Sequence, residues 1–134
     1  MGTLSIESAY PPVRELLFSE YDGKSITVTL STYDKSFVAT KRIYLQEKER
    51  ELVRFFDDMA AGTGGWQGKK EFRSIGDDLR MEATSDRMGH IQLRTTVSND
   101  VPAPDDQWQV SVSIWLEAGS MEFLARRMKR FFNP

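Results

Sequence analysis

Few residues in this 134-residue chain have the type and spacing to do chemistry. Residues 62–70 read Gly-Thr-Gly-Gly-Trp-Gln-Gly-Lys-Lys, with the glycines and lysine of a phosphate-cradling loop. The match fails at Thr63, where that loop needs its first glycine, and at Lys70, where it needs a hydroxyl. The segment also follows a helical pattern and precedes a strand pattern, so no helix N-terminus faces it. It reads as a flexible connector, with Trp66 plugging the edge of the core. His90 is the single histidine. Its parity places it with Gln92 and Arg94 on a polar strand face, and acid–base work needs a positioned partner in a cleft; it reads as solvent-facing. Asp57-Asp58, Asp77-Asp78 and Asp105-Asp106 could bind magnesium or act as acid and base. Neighbours on a helix or strand point apart, however. All three pairs fall at element ends or turns, where Asp bonds local backbone. Arg126, Arg127 and Arg130 share part of one helix face and could touch phosphates, but positive charge there also offsets the helix dipole.

Composition narrows the chemistry further. Without cysteine there is no disulfide, thiolate zinc site or thiol nucleophile. One histidine is too few for two-histidine metal sites, and a Ser-His-Asp triad would have to use His90. A net charge of −2, from 18 basic and 20 acidic residues, argues against a general polyanion binder. The 40% hydrophobic and 28% charged fractions are those of an ordinary globular chain, and the length suits one domain whose core needs no staples. The first ten residues lack a signal peptide's basic and apolar regions, and no run reaches the length of a membrane span. A cytoplasmic location and no cofactor are expected.

The elements that position these residues follow from hydrophobic periodicity. A short strand around Leu4 to Glu7 precedes Pro11-Pro12. Val13 to Tyr21 is an apolar strand, and Lys24 to Ser31 alternates with Ile26, Val28 and Leu30 on one face. Asp22-Gly23 between them signals a hairpin. Asp34-Lys35 turns the chain into Phe37 to Leu45. The period then changes: Leu52, Phe55, Phe56 and Met59 fall at i, i+3, i+4 and i+7, predicting a helix over Glu47 to Ala60. Glu47, Glu49 and Glu51 sit in its first turns, and Gly62 stops it. A second series follows: Phe72 to Ile75, Leu79 to Thr84, His90 to Val97, a polar loop from Asn99 to Gln107, Trp108 to Leu116, and a helix from Ser120 to Phe132.

The two series are alike. Leu52-Val53-Arg54-Phe55-Phe56-Asp57 parallels Met128-Lys129-Arg130-Phe131-Phe132-Asn133, and Ile43-Tyr44-Leu45 echoes Ile114-Trp115-Leu116. The expected fold is α+β: two ββββα repeats, with halves about 1–62 and 63–134, whose helices cover one face of antiparallel sheet.

Several local runs resemble a bacterial family of small proteins without assigned function: Gly65-Trp66-Gln67-Gly68, Leu79-Arg80-Met81-Glu82-Ala83-Thr84 with Asp86, Gly89-His90-Ile91-Gln92-Leu93, Trp108, Leu116-Glu117-Ala118-Gly119, and Phe131-Phe132. The resemblance covers about half the chain and carries no catalytic motif. Small α+β proteins of this kind resemble immunity proteins that accompany polymorphic toxins, including contact-dependent inhibition systems. The repeat layout is similar to the Whirly and PUR-type single-strand-binding fold. The first resemblance implies a non-catalytic inhibitor that occludes the active site of a cognate toxin's C-terminal domain, a nuclease foremost. Nuclease toxins are commonly basic, so Asp77, Asp78, Asp100, Asp105 and Asp106, with Trp115 as exposed aromatic, are the expected contacts. The second implies single-stranded nucleic acid on the sheet face, with Tyr44 and Trp115 as stacking platforms near Arg42 and Arg94. The acidic balance counts against that reading. An enzyme ranks last, because no nucleophile, base and metal set assembles.

Overall fold

The alternating runs of the first half become a meander of four antiparallel strands: β1 (Thr3–Glu7), β2 (Arg14–Ser19), β3 (Ser25–Thr32) and β4 (Val38–Tyr44). Helix α1 (Glu49–Ala61) follows. A second meander comprises β5 (Lys70–Arg73), β6 (Leu79–Ser85), β7 (His90–Asn99) and β8 (Trp108–Glu117), and helix α2 (Met121–Phe132) closes the chain. The structure, a computed structural model, describes residues 2–62, 64–99 and 103–133. Its order is ββββα twice, an α+β layout, as the sequence repeat predicts.

Where the sequence suggests one antiparallel sheet, the strands divide into two four-stranded sheets, β1-β2-β3-β4 and β5-β6-β7-β8. The cause lies at the edges. β4 runs on towards α1, and α1 packs on β5 and on α2. The outer edge of β8 is taken by the segment that links β1 to β2. Ala9 donates its N–H to the Trp115 carbonyl at 2.7 Å, Trp115 donates to Ser8 Oγ at 3.2 Å, and Arg14 Nη1 reaches the Ser113 carbonyl at 3.2 Å. An edge so occupied does not template further pairing.

Both sheets turn their apolar parity inward. Leu16, Phe18, Ile26, Val28 and Leu30 from the first, and Leu79, Met81, Ile91, Leu93 and Ile114 from the second, join one continuous core. Leu52, Phe55, Phe56 and Met59 of α1 and Met121, Leu124, Met128 and Phe132 of α2 complete it. Each such side chain contributes roughly 1.5–3 kcal/mol on burial, so the two halves stabilise each other through shared surface.

Local departures from the sequence pattern have identifiable causes. α1 begins at Glu49, because Gln46 and Glu47 adopt left-handed backbone angles (φ 44° and 70°) incompatible with a helix. β5 spans Lys70–Arg73 instead of Phe72 to Ile75. Ser74 turns the chain there, donating its N–H to the Leu79 carbonyl and accepting the Leu79 N–H on Oγ, both at 2.9 Å. Ile75 is left exposed. Gly62 ends α1 as expected, but for a packing reason. Its φ of −94° suits any residue, whereas a Cβ there would lie 2.8 Å from the Trp66 ring. Trp66 itself rests against the core and donates Nε1–H to the Ala83 carbonyl at 3.3 Å. Among the described residues, no helix is long and apolar enough to cross a membrane.

Candidate functional site

Four of the expected acidic contacts gather at one end of the second sheet. The β5–β6 turn carries Asp77 and Asp78, and the β7–β8 connection carries Asp105 and Asp106; pairing of Leu79 with Val97 and of Asn99 with Trp108 brings both to the same end. Asp100 lies outside the described residues. Pro104 opens a short 3-10 turn over Pro104–Asp106, where its fixed φ and missing N–H cost nothing. The Asp106 N–H donates to the Ala103 carbonyl at 3.0 Å, and Asn99 Nδ2 donates to the Asp106 carbonyl at 3.1 Å. The turn is thereby pinned to β7 with both carboxylates exposed. Among the described residues no cation pairs with either. Trp108 follows at the start of β8, beyond the end of the core and 39% exposed. A hollow of about 370 Å³ opens beside it, lined by Asp77, Arg80, Ser98, Asn99, Gln107, Trp108 and Gln109. Arg80 spans its floor with Nη2 on Gln109 Oε1 at 2.9 Å, while its Nε is buried without a protein partner.

The other two acids of this end differ in role. Asp77 holds a left-handed angle (φ 58°), which Asp tolerates, and pairs loosely with Arg73 at 3.5 Å. Asp78 is engaged on both oxygens: Oδ1 accepts the Ser74 hydroxyl at 2.7 Å and Oδ2 the Lys41 ammonium at 2.9 Å. It therefore ties the two sheets together.

Trp115 stands apart from the acids, about 23 Å along β8 from Trp108 at strand spacing. It is 38% exposed and sits opposite Gln92. Its neighbourhood holds a polar cluster that the sequence did not disclose. His90 was expected to face solvent without a partner, but its Nδ1 meets Asp86 Oδ2 at 2.8 Å. Asp86 Oδ1 accepts the N–H groups of Met88 and His90 at 2.8 and 2.9 Å. The His90 N–H first, then its imidazole, and to a lesser extent the Met88 N–H hold the Asp86 carboxyl below its usual range. The Tyr10 ring meets His90 edge-on, and its hydroxyl donates to Glu117 Oε1 at 2.7 Å, which raises the phenol's pKa. Two carboxylates here serve a turn and a cross-chain tie, and Tyr10, the hydroxyl of the cluster, is engaged by Glu117. The spacing Asp86-x-x-Gly89-His90 was the available signal for this pair, as an Asx-type turn.

On the sheet faces, Arg94 lies diagonal to Trp115 across β7 and β8. Arg42 is two residues from exposed Tyr44 on β4 but is held by Asp22 at 2.9 Å. On α2, Lys129 pairs with Asp57 of α1 at 3.3 Å. Among the described residues, no group of three or more His, Asp or Glu side chains is placed to hold a metal ion.

No curated protein and no solved structure matches the chain. One family model does, over nearly the whole sequence, which agrees with the motif runs above. It matches residues 8–134, and the chain belongs to that family, DUF6228, a family of unknown function.

Proposed function

We propose that this protein is a non-catalytic binding protein of the immunity class, cytoplasmic, which neutralises a basic toxin domain by covering its active site. The observation that carries the reading is the pairing of unneutralised Asp105 and Asp106 with half-exposed Trp108 on a turn fixed to the sheet. Tryptophans are over-represented among binding hot spots, and unpaired charge beside one steers encounter with a partner of opposite sign. The backbone hydrogen bond from Asp106 to Ala103 and the one from the Asn99 side chain to Asp106 hold the turn on the sheet. Asp77 extends the acidic rim.

The test is protection. Co-expressed with a growth-inhibiting domain from the adjoining reading frame, the wild-type chain should restore growth, and an Asp105→Lys/Asp106→Lys variant should fail to do so while folding normally. Equal protection by that variant would remove this surface from the account. A single-stranded nucleic-acid reading retains one supporting observation, exposed Trp115 diagonal to Arg94, which has no partner among the described residues. It predicts affinity that falls steeply with salt.

A further inference from the structure

The Phe131-Phe132 pair that ends α2 borders a cleft of about 760 Å³, between the last turns of that helix, the β2–β3 loop and the start of β1. We infer that this cleft binds an anionic amphiphile, an apolar tail ending in a carboxylate or phosphate monoester. The volume falls in the range of small-molecule sites, roughly 300–1,000 Å³. Leu4, Tyr21, Phe131 and Phe132 make it largely apolar. Tyr21 packs edge-on against Phe132 with centroids 4.8 Å apart, and Phe131 lies 6.2 Å from Tyr21 and 6.5 Å from Phe18. The Tyr21 hydroxyl is taken by Glu49, so the ring offers the cleft hydrocarbon surface.

The charge of the ligand follows from Arg127 and Arg130. They stand three residues apart on one helix face and line the cleft. Among the described residues neither has a carboxylate partner. Of the acids in the flanking segments, Asp22 is held by Arg42, Glu49 by Tyr21 and Asp57 by Lys129, while Glu20 accepts the Thr27 hydroxyl at 3.3 Å and does not line the cleft. The carbonyl end of a helix carries only about half a negative charge, which two guanidinia exceed. An adjoining cleft shares Tyr21 and Phe132 and holds two more arginines, Arg50 and Arg54. Glu47, Glu49 and Asp57 line that cleft as well, so its lining carries no net positive charge. Guanidinium forks match carboxylate and phosphate oxygens bidentately.

This inference is independent of the toxin reading, and its test uses the full chain with a fluorescent probe. Anilinonaphthalene sulfonate, an aryl anion, should saturate one site per chain. Octanoate and octyl phosphate should displace it at far lower concentration than acetate or 1-octanol. Arg127→Gln/Arg130→Gln should weaken probe binding at least about tenfold with an unchanged unfolding temperature, and Arg50→Gln/Arg54→Gln should leave it intact. Equal binding by the Arg127→Gln/Arg130→Gln variant, equal displacement by 1-octanol, or no saturation would overturn the assignment. Capture by phosphatidylglycerol vesicles without displacement by the monomeric anions would also overturn it, in favour of a membrane surface.

Discussion

Lys41 occupies the core-facing parity of β4, opposite Val28, a position where a charge is costly. It is tolerated because its ammonium meets Asp78 across the seam between the sheets at 2.9 Å, with side chains only 24% and 17% exposed. At that separation and an effective dielectric constant near 20, attraction amounts to about 6 kcal/mol. Desolvation of both ions offsets most of it, leaving a net coupling of about 1–2 kcal/mol. Removing one partner strands the other charge, so Lys41→Met and Asp78→Asn should each destabilise by about 2–3 kcal/mol. Asp78→Asn keeps the acceptor for the Ser74 hydroxyl and isolates the charge. Urea unfolding of the wild type, both single variants and the double variant gives the coupling directly. The double variant should be more stable than the sum of the single losses by about 1–2 kcal/mol. Strictly additive losses below about 0.5 kcal/mol each would mean that the ion pair contributes nothing and that apolar packing alone joins the sheets.

Other consequences follow from single positions. Gly65 has φ +93°, and a Cβ there would lie 2.8 Å from the Asp86 carbonyl oxygen. Gly65→Ala should therefore cost about 2 kcal/mol in denaturant melts, whereas Gly64→Ala, with open space around it, should cost under about 0.5 kcal/mol. Burial, and then the bond to Glu49, push the Tyr21 phenol from 10.0 to about 12. A raised acid favours the folded state below the unfolded value and loses that contribution as pH climbs through the folded one. Stability should thus decline between pH 10 and about 12, by roughly 1 kcal/mol after solvent screening, and Tyr21→Phe should flatten that decline. The N–H groups of Ser25 and Lys24, with Arg42, hold Asp22 down to about 2. Its contribution is present above the usual carboxylate range and lost as pH falls towards 2, so Asp22→Asn should destabilise at pH 7 and matter least near pH 2 in thermal melts.

Much of the architecture was legible because its signals are local. Trp108 to Leu116 and the two apolar helix stripes need only near neighbours to declare their period. The division into two sheets was not legible, since it depends on Ala9 bonding to Trp115 far along the chain. Likewise Asp78 and Asp105 look equivalent in sequence, as members of turn-borne acidic pairs. What separates them is Lys41, 37 residues from Asp78, whose inward charge contradicts the parity of its own strand. The exposure of Asp105 and Asp106 follows from their place in a polar, proline-bearing loop, which is a local signal. Trp108 and Trp115 share a strand and are about equally exposed, but Trp108 lies two residues from Asp106 and Trp115 at the other end of β8.

The most direct measurement is capture from the native host with the neighbouring reading frame intact, comparing wild type with an Asp105→Lys/Asp106→Lys/Trp108→Ala variant. The wild type should retain one basic, toxin-like domain at near equal stoichiometry, and the variant should release it. Equal recovery by both, or recovery of nuclease-sensitive nucleic acid in its place, would contradict the toxin reading.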